Sequence, residues 1–205
     1  MGGTCDMRRI IAFDHVSADG YFAAADGKLD WVLPDEELTR SNLQNMADGD
    51  TILFGRRTYE MFEAFWPTAI QDDRGAEDPH AKGHRSEGIQ QVGEWINNAT
   101  KIVFSRTRQA VTWQGSRLIR EFSVAEVEAL KHTAGKNMLL LGSGEITRLM
   151  ARGGLIDEYR FAVVPVILGK GRKLLDDVDG PRRLSLVESP RFPSGTVLLR
   201  YRTER

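Results

Sequence analysis

Short apolar runs alternate along the chain with stretches whose apolar residues recur every three or four positions. This is the signature of buried strands separated by amphipathic helices. The strand-like runs are Arg9–Val16, in which Ile10, Ile11, Ala12 and Phe13 are consecutive, then Thr51–Phe54, Lys101–Phe104, Met138–Leu141 and Tyr159–Leu168. Helical spacing predicts helices over Asp35–Met46, Thr58–Phe65, Gly88–Ile96, Ser123–His132 and Glu145–Arg152. Ser123 and Glu126 have the spacing of a capping box, and Gly153 with Gly154 suits a left-handed helix end. Two alternating segments, Arg183–Val187 and Thr196–Arg202, are separated by Ser189, Pro190, Pro193 and Gly195, which predicts an antiparallel hairpin at a sheet edge. The whole pattern predicts an α/β domain, with a mixed, mainly parallel sheet covered by helices on both faces. Thr68–Ser86, polar and rich in Asp, Gly and His, is expected to form a surface loop, either a functional flap or a partly disordered segment. Met1–Asp6 is expected to be an extension ahead of a single domain over residues 7–205.

Composition removes several classes of function. Of the 205 residues, 41% are hydrophobic and 28% charged, with 28 basic against 29 acidic side chains. That is an ordinary globular balance, and a chain of this length can bury a core without staples. A formal net charge of -1 lacks the basic field on which nonspecific nucleic-acid binding depends. No run approaches the roughly 18 apolar residues of a membrane span. The single cysteine, Cys5, cannot form an internal disulfide. The start of the chain has no cationic segment leading into an apolar core, so a cytoplasmic protein is expected.

Three strand ends carry the candidate chemistry. Thr51–Phe54 runs into Gly55, Arg56, Arg57 and Thr58 and then a helix; free N–H groups at a helix start and adjacent guanidinium groups suit a phosphate, although two arginines at a solvated turn would read the same way. Met138–Leu141 runs into Gly142, Ser143, Gly144, Glu145 and Ile146. This is not the dinucleotide fingerprint of a Rossmann domain, which would need glycine at Thr147, but its glycines admit close approach to the backbone, or simply serve the turn. Lys101–Phe104 ends in Ser105, Arg106 and Thr107, adding hydroxyls and a cation at an edge where open α/β sheets bind ligands.

In this order, the segments resemble the dihydrofolate reductase-like superfamily, and most closely the C-terminal reductase domain of the bifunctional riboflavin-biosynthesis deaminase-reductase. The matching stretches are Ile10–Ala23 with Ser17-Ala18-Asp19-Gly20, Gly55–Glu60, Phe104–Thr107, Leu141–Ile146, Asp157-Glu158 and Pro165–Gly171, spread over nearly the whole chain. The resemblance implies a three-layer fold of that type, NADPH as cofactor, and a pyrimidine or pterin-like heterocycle as substrate. It places the adenosine ribose phosphate on Arg56, Arg57, Thr58, Ser105 and Arg106, with Gly55 in the same turn. It sets Gly142, Ser143, Gly144, Glu145 and Ile146 against the pyrophosphate and nicotinamide. Relatives carry a cis peptide in that turn; here Ser143 stands in place of the second glycine, and such a bond before a serine costs about 3–4 kcal/mol.

On the substrate side the resemblance points to His15, Asp19 and Trp31. Asp19 would touch the ligand or cap its own loop. Glu36, two residues after Pro34 in Trp31-Val32-Leu33-Pro34-Asp35-Glu36, stands where dihydrofolate reductases carry their acid, so Asp19 and Glu36 are the candidate catalytic residues. Asp35, Glu36 and Glu37 equally make an ordinary acidic helix start. A true dihydrofolate reductase, or a noncatalytic module binding NADPH or flavin, are the alternatives. A homodimer is expected by analogy with related domains. His80 and His84 have the spacing of a metal pair, but Gly83 disfavours the helix such a pair needs, and no metal is expected. No H-x-E followed by P-C-x-x-C is present, so the chain is expected to be a free-standing reductase domain.

Overall fold

The computed structural model describes residues 7–71, 75–176 and 178–204. The expected extension, Met1–Asp6, lies outside the described residues. An eight-stranded sheet runs through the domain: β1 (Ile10–Ser17), β3 (Gly49–Gly55), β6 (Thr100–Phe104), β7 (Ser116–Ile119), β8 (Asn137–Leu141), β9 (Glu158–Val164), β11 (Leu184–Glu188) and β12 (Val197–Thr203). Their order is β11-β12-β9-β1-β8-β3-β6-β7. From β9 to β7 every pairing is parallel, whereas β12 lies antiparallel to β9 and β11 antiparallel to β12. The mixed sheet and its antiparallel C-terminal pair are therefore as expected. Four short strands complete the chain: β2 (Tyr21–Ala24) pairs with β10 (Gly171–Lys173), and β4 (Ala76–Asp78) with β5 (Ala81–Ser86).

Five helices cover the sheet: α1 (Glu36–Met46), α2 (Arg56–Ala69), α3 (Glu87–Asn98), α4 (Val124–Lys131) and α5 (Gly144–Arg152). The central strands are apolar on both faces because both are covered. Ile11, Ile52, Phe54, Val103 and Leu139 pack on the side of α2 and α3, where Tyr59, Trp66, Ile89 and Ile96 meet them. Ile10, Ala12, Leu53, Ile102 and Leu140 pack on the other side against Val127, Ile146 and Met150 of α4 and α5. Alternate residues of β1 thus serve opposite layers.

The stretch expected to be a loop, 68–86, is different. Its start completes α2, and residues 76–86 form the β4–β5 hairpin, with Ala76 paired to Ser86 and Glu77 to Arg85. Backbone pairing, a fully buried Ala76 and the Asp78 carboxylate accepting from the His80 N–H at 2.7 Å hold this hairpin, none of which leaves an apolar alternation in the sequence. Residues 72–74 lie outside the described set.

Candidate active site

Strands β8, β3 and β6 are neighbours and parallel, so their carboxyl ends deliver three turns to one edge of the sheet. Gly55, Arg56, Arg57 and Thr58 come from the end of β3, Ser105 and Arg106 from that of β6, and Gly142, Ser143, Gly144, Glu145 and Ile146 from that of β8; all eleven line one cleft of about 1910 Å³. That exceeds the roughly 300–1,000 Å³ of a site for a single drug-sized ligand. The helix starts in this cleft are built differently from the others. Side chains of Asp35, Ser86 and Ser123 cap α1, α3 and α4, whereas Gly55 and Ser143 precede α2 and α5 with no side-chain cap. The first-turn N–H groups and the positive dipole ends of α2 and α5 are left for an anion.

The serine hydroxyl that might have capped α5 is used elsewhere: Ser143 Oγ accepts from the Gly55 N–H at 2.7 Å and ties the two turns together. Ser143 has a left-handed backbone, φ 66, and the described chain contains no cis peptide bond. Gly144 is required by close packing, since a Cβ there would lie 2.4 Å from Phe22 Cζ. Ser105 Oγ accepts from the Thr107 and Arg108 N–H groups, at 3.3 and 3.0 Å, and fixes the turn after β6.

The cations divide into two kinds. Arg56 is paired with Glu60 at 2.9 Å, and Arg108 with Glu63 at 2.6 Å, so both are held by the scaffold. Arg57 and Arg106 are exposed, line the cleft at adjacent strand ends, and have no ion-pair partner among the described residues.

The other part of the cleft is walled by Phe13 and His15 of β1, Leu38 of α1, Phe62 and Trp66 of α2, and the hairpin residues Asp78 and His80. The His15 ring meets Phe13 edge-on at 5.2 Å and His80 at 5.7 Å. Burial first, and then the neighbouring His80, lower the His15 pKa to about 3. Burial also lowers His80, against the opposing pull of Asp78. Asp14, on the opposite side of the same strand, lines the cleft as well. It is 3% exposed, its Oδ2 has no hydrogen-bond partner among the described residues, and burial raises its pKa well above the usual carboxylate range.

Of the residues expected on the substrate side, His15 alone is in the cleft lining. Asp19 turns its carboxylate to the loop after β9, accepting from Ser17 Oγ at 2.6 Å, Leu168 N at 3.1 Å and Gly169 N at 2.7 Å. The Ser17 hydroxyl, with those N–H groups, holds its pKa at about 2. Trp31 is buried with Val32 and Val164, its indole N–H donating to Lys28 O. Glu36 is exposed at the start of α1 and meets His84 Nε2 at 3.0 Å. His80 meets the His15 ring instead, and no group of three or more His, Cys, Asp or Glu among the described residues could hold a metal ion. Asp78, His80 and Asp14 were not expected in the site. Only Asp14 had a signal, a carboxylate standing inside the apolar run of β1.

A central, mainly parallel sheet whose strand ends present two uncapped helix starts and unpaired arginines defines an α/β domain of the dihydrofolate reductase-like type. The chain belongs to the RibD C-terminal domain family, whose model matches residues 8–198. It is 29% identical to the uncharacterized protein YyaP of Bacillus subtilis (strain 168), over 98% of each chain. A putative riboflavin biosynthesis protein from Shewanella sp. PV-4 has the same fold, with a TM-score of 0.70 at 23% identity over 96% of this chain and 99% of that one. The diaminohydroxyphosphoribosylaminopyrimidine deaminase/5-amino-6-(5-phosphoribosylamino)uracil reductase of Thermotoga maritima matches with a TM-score of 0.64 at 19% identity; the alignment covers 97% of this chain and 57% of that one. Membership in this family makes the chain a reductase-like domain of the riboflavin-pathway type.

Proposed function

We propose that the protein is an NADPH-dependent reductase of a pyrimidine or pterin-like heterocycle, with 5-amino-6-(5-phosphoribosylamino)uracil reduction as the first activity to test. The observation that supports this best is the pair Arg57 and Arg106, two unpaired guanidinium groups at neighbouring strand ends beside an uncapped helix start. A dianionic ribose phosphate satisfies both, and a nucleotide lacking it leaves both idle. The uncapped start of α5 and the open backbone at Gly142 suit the pyrophosphate, so the residues present fit the cofactor that relatives in this family use. Bound there, reduced nicotinamide supplies a hydride to the second ligand. The chain's part is to hold the two ligands in contact, with Phe13, Phe62 and Trp66 excluding water from the reacting face and a neutral His15 offering one donor and one acceptor to a heterocycle.

The placement of Glu36 outside the cleft gives no support to the alternative of a true dihydrofolate reductase acting through it. A cytoplasmic site of action and a homodimer belong to the same proposal. No helix among the described residues is long and apolar enough to cross a membrane, and the edge strand β11 exposes Leu186 and Val187, a surface a second copy could cover.

The test is titration of the protein with NADPH and NADH, followed by tryptophan fluorescence, beside Arg57→Ala/Arg106→Ala. Loss of two charge-assisted contacts is expected to weaken NADPH by about 100-fold or more while leaving NADH nearly unchanged. Equal binding of both nucleotides by the wild type would refute the cofactor assignment. Tight NADPH binding with no turnover of any heterocycle would favour the noncatalytic alternative.

A further inference from the structure

We infer that Asp14, as an uncharged carboxylic acid, pairs with an amide edge, an adjacent C=O and N–H, on a molecule bound in the cleft. The inference deepens the reductase reading and rests on it, because both molecules that reading brings to the cleft carry such an edge: the carboxamide of nicotinamide and the lactam of a pyrimidine or pterin ring. Three observations converge on this residue. Asp14 lines the cleft although it is 3% exposed. Its Oδ2 is buried without a hydrogen-bond partner among the described residues, and no cation is paired with the carboxyl, whereas Glu158, the other buried acid on the sheet, also has an unpartnered Oε2 but meets Arg160 at 2.6 Å and Arg200 at 3.1 Å through Oε1. The Gly142 N–H donates to Phe13 O at 3.2 Å, which sets Asp14 beside the Gly142-Ser143 turn, and across the other seam its neighbour is the aromatic Phe161.

An ionised carboxylate with no cation or N–H directed at it would be costly in that position. The neutral acid has an O–H donor and a C=O acceptor side by side, and these match an amide edge in two parallel hydrogen bonds. Burial favours that neutral form. An unmatched buried acid weakens the empty fold, so its place in the cleft makes sense if a ligand completes it.

The experiment compares the wild type with Asp14→Asn and Asp14→Leu, each as the full chain. Three probes are titrated by calorimetry: NADPH, the analogue in which 3-acetylpyridine replaces nicotinamide, and pteridine-2,4-dione. Asparagine keeps a donor beside an acceptor and is expected to bind within about threefold of the wild type; leucine removes both and should weaken an amide-bearing probe about tenfold or more. Weakened NADPH with an unaffected acetylpyridine analogue assigns the edge to nicotinamide, and a weakened dione with unaffected NADPH assigns it to the heterocycle. The empty leucine variant is expected to unfold at a higher temperature than the wild type, which separates lost binding from a damaged fold. Wild-type affinities for NADPH and the dione in the leucine variant would overturn the inference and leave the reductase reading standing. Asparagine failing as leucine does would also overturn it, since the carboxylate would then act ionised, as an acceptor only. If the wild type binds none of the three probes, the reductase reading falls and this inference with it.

Discussion

Replacing Asp14 by asparagine should change how the stability of the empty protein depends on pH, with a sign that follows from the direction of its pKa. Burial holds this carboxyl neutral in the folded chain at pH values where an unfolded aspartate, with a pKa near 3.9, has already ionised. Above about pH 4 the folded state therefore binds one proton more than the unfolded state. Stability contributed by Asp14 then falls by about 1.4 kcal/mol per pH unit, until the folded carboxyl itself ionises. His15 acts in the opposite sense: its ring, lowered to about 3 by burial and by His80, stays neutral in the fold where an unfolded histidine takes up a proton, so its contribution grows from pH 3 to about 6.5. His80 acts with His15. Asp19, held at about 2 chiefly by the Ser17 hydroxyl, changes protonation below this window. The wild-type curve sums opposed contributions, but the difference between Asp14→Asn and wild type isolates Asp14. In urea-unfolding free energies measured at half-unit steps from pH 4.5 to 6.5, the variant should gain on the wild type as pH rises, by at most about 1.4 kcal/mol per pH unit and for as long as the folded carboxyl stays protonated. For a chain of this size that corresponds to roughly 3–6 °C in Tm. A constant offset on that difference is the cost of the asparagine itself. Parallel curves across the window would mean that Asp14 is ionised in the folded protein, and would refute the reasoning.

Ser143→Ala removes the hydroxyl that accepts from Gly55 N–H and leaves a nonglycine residue with φ 66, so a loss of about 1–3 kcal/mol is expected in chemical unfolding, together with weaker nucleotide binding. Gly144→Ala puts a Cβ 2.4 Å from the Phe22 ring; Phe22 must shift into the cleft, and we expect about 1–3 kcal/mol of destabilisation, partly recovered in Gly144→Ala/Phe22→Leu. Glu36→Gln breaks only an exposed contact with His84, so Tm should change by no more than about 2 °C and the pH profile of any reductase activity should not move; a moved profile would bring Glu36 back as an acid. Asp19→Asn keeps one acceptor oxygen and turns the other into an NH2 donor, so the contacts from Ser17, Leu168 and Gly169 cannot all be kept, and limited proteolysis should show cleavage near residues 166–170 that the wild type resists.

How much of this was legible in the sequence depends on what each feature is made of. Long strands buried on both faces and helices with one apolar side write their period into the residue order, so β1, β3, β6, β8, β9 and the helices are visible without a structure. The β4–β5 hairpin is held by backbone pairing and an Asp78 turn, and β7 by pairing to β6 with four residues of mixed burial; neither leaves a period to read. The same distinction governs the site. Strand ends that run through glycine or serine into arginine have the residue types of an anion site, and the fold gathers the eleven residues picked out there into one cleft. Side chains on the substrate side carry no such local grammar. Asp19 and Glu36 look catalytic through their place in stretches that resemble reductases, yet one has both oxygens occupied by its neighbouring loop and the other meets a histidine at the surface. Asp14 is the reverse case. In sequence it is a polar interruption of an apolar strand, which propensity treats as a blemish; in the fold it is a buried acid in the cleft lining whose Oδ2 has no hydrogen-bond partner among the described residues. A buried acid that lowers the stability of its own strand while lining a large cleft is where local consistency and function would pull apart, and that conflict makes it the more informative of the candidate acids to mutate.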